Sequence, residues 1–164
     1  MLRWFGIQEG DEVIVPAYTY CATANVVVHC GAKIVFADVG HDFNIDVSKL
    51  EGLITEKTKA IMPVHLTGRM CDMDSIMAIA KKYDLLVIED AAQAIGSQYK
   101  GHISGSISEV GCFSGHPLKN LNAYWGIPSR TQRSSSATLQ SLMRPEGGIC
   151  ERPLTPFTAS TRPK

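Results

Sequence analysis

Asp90 and Lys119 are the two residues of this sequence whose type and position predict chemistry. Asp90 follows the apolar run L-L-V-I-E at residues 85–89, and Lys119 follows the run V-G-C-F at residues 110–113 and a short loop. Near-continuous apolar runs are typical of strands covered on both faces, and ligands of open α/β sheets bind where such strands end. Most lysines are solvated surface charges, so Lys119 is a candidate only because it follows the end of a predicted strand.

The elements that position these residues alternate between strands and helices. Strands are predicted at residues 12–15, 33–39, 59–64, 85–89 and 110–113. Helices are predicted at residues 1–7, 24–30 and 46–54, and a further helix that Asp72 or Asp74 caps and that ends at Lys81 and Lys82. Residues 17–23 are interpreted as a turn. Strands that alternate with helices predict right-handed crossovers and a mostly parallel sheet flanked by helices, so the predicted fold class is α/β.

Composition and charge narrow the classes of partner. The chain has 164 residues, of which 45% are hydrophobic and 20% charged, as is ordinary for about one globular domain. Lys plus Arg and Asp plus Glu both number 16, so the net charge is zero. A balanced surface has no long-range field that would collect nucleic acid or an anionic membrane. We expect neither of these partners, and a small molecule or another protein chain instead.

The cysteines and the apolar runs indicate the cellular compartment of the protein. The 5 cysteines are scattered, without a C-x-x-C pair and without a histidine at zinc-ligand spacing. This pattern favours reduced, mostly buried thiols over a disulfide framework or a metal site. No run has the length of a secretion signal core or a membrane span. The sequence thus predicts a cytoplasmic protein without a bound metal.

The character of the sequence changes near residue 125. Residues 126–164 are rich in Ser, Thr, Pro and Arg, and their few apolar residues show little periodicity apart from a weak helical pattern at residues 137–143. Such a segment buries too little apolar surface to offset the entropy of ordering. We therefore expect a folded domain at residues 1–125 and a disordered tail at residues 126–164.

Four blocks carry a resemblance that no single block would support. They are G-D-E-V-I-V-P-A-Y-T-Y-C-A-T-A-N at 10–25, T-K-A-I-M-P-V-H-L at 58–66, V-I-E-D-A-A-Q-A at 87–94, and G-C-F-S-G-H-P-L-K-N-L at 111–121. In this order and spacing, over about residues 7–124, they resemble the DegT/DnrJ/EryC1/StrS family of pyridoxal-phosphate sugar aminotransferases. The resemblance implies a partial large domain of the type I aminotransferase fold and a homodimer with active sites between subunits. It also implies amino transfer from glutamate or glutamine to a nucleotide-linked keto-sugar.

The same resemblance implies roles for five residues. Lys119 matches the lysine that forms a Schiff base with pyridoxal 5'-phosphate and then moves the substrate proton. Asp90 matches the carboxylate that pairs with the pyridine nitrogen, and Gln93 matches the residue near the ring oxygen. Ser114 matches a phosphate-binding hydroxyl, and Tyr20 matches the aromatic that stacks on the cofactor ring. A related branch with histidine in place of the lysine performs dehydration, so Lys119 favours transamination.

Several of these residues also have ordinary interpretations. Asp90 could cap a helix, Ser114 could serve a turn, and Tyr20 could pack in the core. His65 falls within a matched block, but a histidine at a strand end is commonly structural, and it is assigned no catalytic role.

The sequence also departs from the family pattern at both ends. Family members carry an earlier Gly-Ser/Thr loop that cradles the cofactor phosphate and a later C-terminal domain, and we expect the chain to be truncated at both ends relative to them. A shifted reading frame or altered splice is one hypothesis for the tail. Three interpretations remain open: an active aminotransferase, a catalytically inactive fragment of the family, and a non-catalytic small-molecule binding or regulatory module.

Overall fold

Parallel strands form the centre of the structure. The computed structural model describes residues 1–120, so the predicted tail, including the helical pattern at residues 137–143, lies outside the described residues. Five strands pair in the order β2-β1-β3-β4-β7, and every pair in this sheet is parallel. The strands of this sheet are β1 Glu12–Pro16, β2 Lys33–Ala37, β3 Thr58–Ile61, β4 Leu86–Asp90 and β7 Val110–Cys112. The predicted α/β class and mostly parallel sheet are confirmed.

Helices and short turns connect the strands. The α-helices are α1 Cys21–His29, α2 Val47–Leu50 and α3 Met73–Tyr83, and 3-10 helices lie at Leu2–Phe5, Glu51–Leu53 and Leu66–Gly68. A small antiparallel hairpin of β5 Gln98–Tyr99 and β6 His102–Ile103 precedes β7. Within residues 1–120, no helix is long and apolar enough to cross a membrane.

Alternating side chains of the central strands create a core on each face of the sheet. Ile14 of β1 packs with Ile61, Val87 and the α3 residue Ile76 on one face. Val13 and Val15 pack with Ala60, Ile88 and Val27 of α1 on the other. Successive residues of a strand point to opposite faces, so a strand covered on both sides is apolar at nearly every position. This requirement explains the uninterrupted apolar runs in the sequence.

The boundaries of several elements differ from those predicted. Helix α1 begins at Cys21 rather than at residue 24, so the end of the segment predicted as a turn is helical. Its β-branched residues are accommodated because Val27 is fully buried against the sheet, and packing outweighs their weak helix preference. The predicted helix at residues 46–54 is a single turn, α2, followed by a 3-10 turn that contains Gly52.

The predicted helix signals are confirmed in part. Asp72, not Asp74, caps α3, where its carboxylate accepts the Ser75 amide hydrogen, and Lys81 and Lys82 lie in the last turn. The helix predicted at residues 1–7 is a 3-10 helix, Leu2–Phe5, closed by Gly6. The expectation of mostly buried cysteines was wrong for the described part of the chain. There Cys71 is buried, Cys21 is exposed, and Cys30 and Cys112 are half-buried.

Two glycines allow the loop before β7 to lie directly on that strand. A Cβ atom added at Gly111 would lie 2.3 Å from both the Cα and the carbonyl oxygen of Gly105. A Cβ atom at Gly105 would lie 2.6 Å from the ring of Phe113, and its φ of +77° also favours glycine. The close backbone contact therefore fixes the position of β7 beneath the loop.

Substitution of Gly111 by alanine should destabilise the fold. The new methyl group meets backbone rather than a movable side chain, so we expect a loss of about 1–3 kcal/mol or more in the free energy of unfolding, measured by urea denaturation. Gly52→Ala is the matched control, because nothing lies within 4 Å of a Cβ atom at that position. Equal stability of the two variants would contradict the proposed close packing.

Candidate active site

A cleft opens at the carboxyl ends of β4 and β7. Its volume is about 970 Å³, and it lies beside the N-terminus of α1. All five residues with predicted site roles line it: Tyr20, Asp90, Gln93, Ser114 and Lys119. Parallel strands all end at the same edge of a sheet, which is where open α/β folds bind ligands. The topology thus brings together residues that are up to 99 positions apart in the sequence.

Asp90 is the last residue of β4, and hydrogen bonds hold both its main chain and its carboxylate. Its main chain donates to the Pro63 carbonyl at 2.8 Å and accepts from the His65 amide at 3.1 Å. Its carboxylate oxygen Oδ1 accepts from the Ala92 amide at 3.1 Å, and Oδ2 accepts from the Thr23 hydroxyl at 2.8 Å. The contact with Ala92 closes a local turn, and residues 91–97 form turns rather than a helix, so the alternative that Asp90 caps a helix was wrong. Because an ionised carboxylate accepts about four hydrogen bonds, acceptor capacity remains for a ligand in the cleft.

Lys119 and Tyr20 lie together at the mouth of the cleft. The Lys119 ammonium nitrogen is 5.3 Å from the centroid of the Tyr20 ring, within the range of a cation–π contact. Tyr20 is 62% exposed, so the alternative that it packs in the core was wrong. An exposed aromatic ring beside an amine offers a flat apolar surface to a planar ligand.

Gln93 and Ser114 contribute donors to the cleft. The Gln93 oxygen Oε1 accepts the Thr67 amide hydrogen at 3.1 Å, which leaves the Gln93 amide nitrogen as a donor. Thr67 makes this contact from a left-handed backbone conformation, with φ of 52°, that is unusual for a β-branched residue. The Ser114 hydroxyl oxygen accepts the His116 amide hydrogen at 3.2 Å, as in an ordinary turn. Since it accepts there, its own proton can be donated to a ligand.

A buried carboxylate lies behind the cleft and organises the loop that enters β7. Glu89 is fully buried, and its oxygens accept hydrogen bonds from the main chain of three loop residues: Gly105, Ile107 and Ser108. Burial raises the pKa of Glu89, but hydrogen bonds from His65, Ser108 and Gly105 outweigh it and hold the pKa below its usual value of 4.5. The loop therefore closes around a carboxylate that stays ionised.

His65 supports this carboxylate from the opposite side. It is fully buried, and its Nε2 lies 3.0 Å from the Glu89 carboxylate. The Nδ1 atom accepts the Cys71 amide hydrogen at 3.2 Å, so Nε2 carries the proton and donates it to Glu89. Burial raises the pKa of the Cys71 thiol to about 12, which keeps that side chain protonated. His65 thus has structural contacts, as the sequence interpretation proposed.

The roles of two residues in this region were not predicted from the sequence. Thr23 contacts Asp90 across 67 positions, and Glu89 contacts a loop 16 to 19 positions ahead. A carboxylate inside the apolar run of β4 was a signal for Glu89, because a charge there must be paired. For Thr23 no local pattern distinguishes its role from that of any other helix residue.

The amino-acid sequence of the chain is similar to those of known proteins. The sequence model of the DegT/DnrJ/EryC1/StrS aminotransferase family matches residues 1–126. The chain belongs to this family. A relative in it, GDP-perosamine synthase of Caulobacter vibrioides, is 48% identical over 143 residues, which are 87% of this chain and 38% of that protein. The UDP-N-acetyl-3-dehydro-alpha-D-glucosamine 3-aminotransferase of Acidithiobacillus ferrooxidans is 52% identical over 123 residues, 74% of this chain and 33% of that protein.

Solved aminotransferase structures share the fold. The S. venezuelae DesV protein, solved in complex with a ketimine intermediate, superposes with a TM-score of 0.73 at 43% identity. The match covers 75% of this chain and 33% of that one. The chain therefore spans about a third of the length of these three proteins.

Replacement of Glu89 by glutamine should destabilise the fold in a pH-dependent way. At pH 7 the variant lacks the charge that the surrounding donors require, and we expect it to lose about 3 kcal/mol in the free energy of unfolding. A lowered carboxyl pKa stabilises the fold above the unfolded-state value of 4.5, and this contribution is lost as the pH falls through the folded-state pKa. The advantage of the unsubstituted protein should thus be constant down to about pH 4.5 and shrink below it.

Urea denaturation at a series of pH values measures this difference. Glu56→Gln serves as the control, since it removes an exposed carboxylate and should change stability by less than about 0.5 kcal/mol at pH 7. A Glu89→Gln variant as stable as the unsubstituted protein at pH 7 would show that the buried charge is not needed.

Proposed function

We propose that this chain forms the cofactor-binding part of an aminotransferase that uses pyridoxal 5'-phosphate and acts on a nucleotide-linked keto-sugar. The observation that carries the proposal is the convergence of Asp90, Lys119 and Tyr20 on one cleft. A carboxylate, an amine and an exposed aromatic face are the groups that this cofactor requires, and the residues present fit it.

Each residue of the cleft has a part in holding the cofactor under this proposal. Asp90 pairs with the pyridine nitrogen, and Tyr20 stacks on the ring. Gln93 donates its amide hydrogen to the ring oxygen, and the Ser114 hydroxyl donates to the phosphate. The Lys119 amine would hold the aldehyde end of the cofactor by a covalent bond formed with loss of water. When bound, pyridoxal phosphate supplies an electron sink for the charge left when a substrate proton departs.

Lys119 also performs the proton transfer in this proposal. With its nitrogen free and unprotonated, the Lys119 side chain would accept a proton from the substrate carbon and would later return it. The Asp90 carboxylate assists by keeping the bound ring nitrogen protonated. Its contacts with Ala92 and Thr23 hold it in one orientation for this purpose.

The class of substrate is proposed from the relatives. Their names describe a GDP-linked sugar product in one case and a UDP-linked keto-sugar substrate in the other. We infer glutamate or glutamine as the amino donor, a homodimer as the assembly and the cytoplasm as the location, with no nucleic acid or membrane as partner. We also propose that residues 1–125 correspond to the partial large domain and that residues 126–164 lie outside it.

Borohydride reduction in the presence of pyridoxal phosphate tests the proposal. The unsubstituted protein should develop a visible absorption band, and reduction followed by peptide mass mapping should find the label on Lys119. Lys119→Arg should abolish both signals, because arginine keeps the positive charge but cannot form the linkage. Lys57→Arg, at an exposed lysine outside the cleft, should change neither.

Two other results would contradict the proposal. Labelling spread over many lysines would indicate non-specific reaction with the aldehyde. An absence of any label at Lys119 would favour the interpretation that this chain is catalytically inactive. If labelling is specific, amino transfer from glutamate or glutamine to a nucleotide-linked keto-sugar is then measured directly.

A further inference from the structure

Thr23 makes a contact that the family chemistry does not explain. It lies in the first turn of α1 and is 3% exposed, and its hydroxyl lies 2.8 Å from the Oδ2 atom of Asp90. A threonine hydroxyl within a helix ordinarily donates to the carbonyl three or four residues earlier. Here the proton is donated instead to a carboxylate on another element of the fold.

The direction of each hydrogen bond follows from counting protons. An ionised carboxylate only accepts, so Thr23 donates its single hydroxyl proton to Asp90. The Thr19 hydroxyl lies 3.0 Å from the Thr23 hydroxyl. Since Thr23 has no second proton to give, Thr19 is the donor in that pair. Two hydroxyl groups therefore form a chain that ends on Asp90, and each bond of such a chain polarises and strengthens the next.

This chain determines how Asp90 presents its charge to the cleft. Oδ1 is held by the Ala92 amide and Oδ2 by Thr23, so the carboxylate plane cannot rotate without breaking one of the two bonds. A carboxylate held in one orientation is the partner that a protonated aromatic nitrogen needs.

We infer that Thr23, held by Thr19, is a positioning residue that orients Asp90 toward the protonated ring nitrogen of the bound cofactor. This inference rests on the proposed function and adds residues to its site. It does not make Thr23 a contact of the cofactor itself. It predicts that Thr23 affects the binding affinity of ligands that have a ring nitrogen and does not affect that of ligands without one.

The test uses two ligands that differ at one ring position. Pyridoxamine phosphate has the ring nitrogen and lacks the aldehyde, so it binds without a linkage to Lys119. Its 1-deaza analogue has carbon at the nitrogen position. Thr23→Val removes the hydroxyl at nearly constant volume, and Thr23→Ser retains it. We expect Thr23→Val to weaken pyridoxamine phosphate binding about tenfold and to leave the affinity for the deaza analogue unchanged, with Thr23→Ser close to the unsubstituted protein.

A measurement on the free protein accompanies the binding experiment. Thr23→Val should lower the midpoint of thermal unfolding in the unsubstituted background and lower it much less in an Asp90→Ala background, because the two residues share one hydrogen bond. Equal effects in both backgrounds would overturn the inference without any ligand. The midpoint of Thr23→Val also verifies that the variant folds before its binding is measured, and Thr19→Val provides a second, milder interruption of the same chain.

The outcomes separate this inference from the proposed function. Equal losses of affinity for both ligands, or failure of Thr23→Ser to restore binding, would overturn the positioning role while the proposed function stands. If the unsubstituted protein binds neither ligand although Thr23 and Asp90 are coupled in thermal unfolding, the proposed function fails and the inference fails with it.

Discussion

A buried negative charge is the constraint on which the arrangement of the cleft depends. The Glu89 carboxylate is removed from water, so it must be surrounded by donors, and these come from His65 and from the loop before β7. Satisfying the charge therefore fixes the path of that loop. Because β7 follows at once and leads to Ser114, the same contacts determine where one side of the cleft lies.

Strand β4 ends in two carboxylates with opposite environments. Glu89 and Asp90 are adjacent, so their side chains point to opposite faces of the sheet. The first is enclosed by loop amides and a neutral histidine and serves the fold. The second keeps acceptor capacity toward the cleft, with Thr23 and Ala92 restraining it. Neighbouring residues of the same chemistry thus have different uses because pleating gives them different surroundings.

Much of the fold could be read from the sequence because its physical basis is local. The apolar runs predicted the strands, because a strand covered on both faces exposes neither face to solvent. The ends of the helices were less accurate, as with α1, because tertiary burial of Val27 outweighs the preferences of its neighbours. The core alternative for Tyr20 was wrong for a related reason, since exposure depends on what packs nearby and not on residue type.

The sequence by itself determined the α/β class, the position of Asp90 at a strand end and, through its resemblance to a family, five of the residues that line the cleft. Only the tertiary structure decided how those residues are supported. The bond from Thr23 to Asp90 and the closing of a loop on Glu89 join segments far apart in the chain. Such contacts leave no periodic pattern in the sequence, because they depend on which strands become neighbours and on which face each side chain meets.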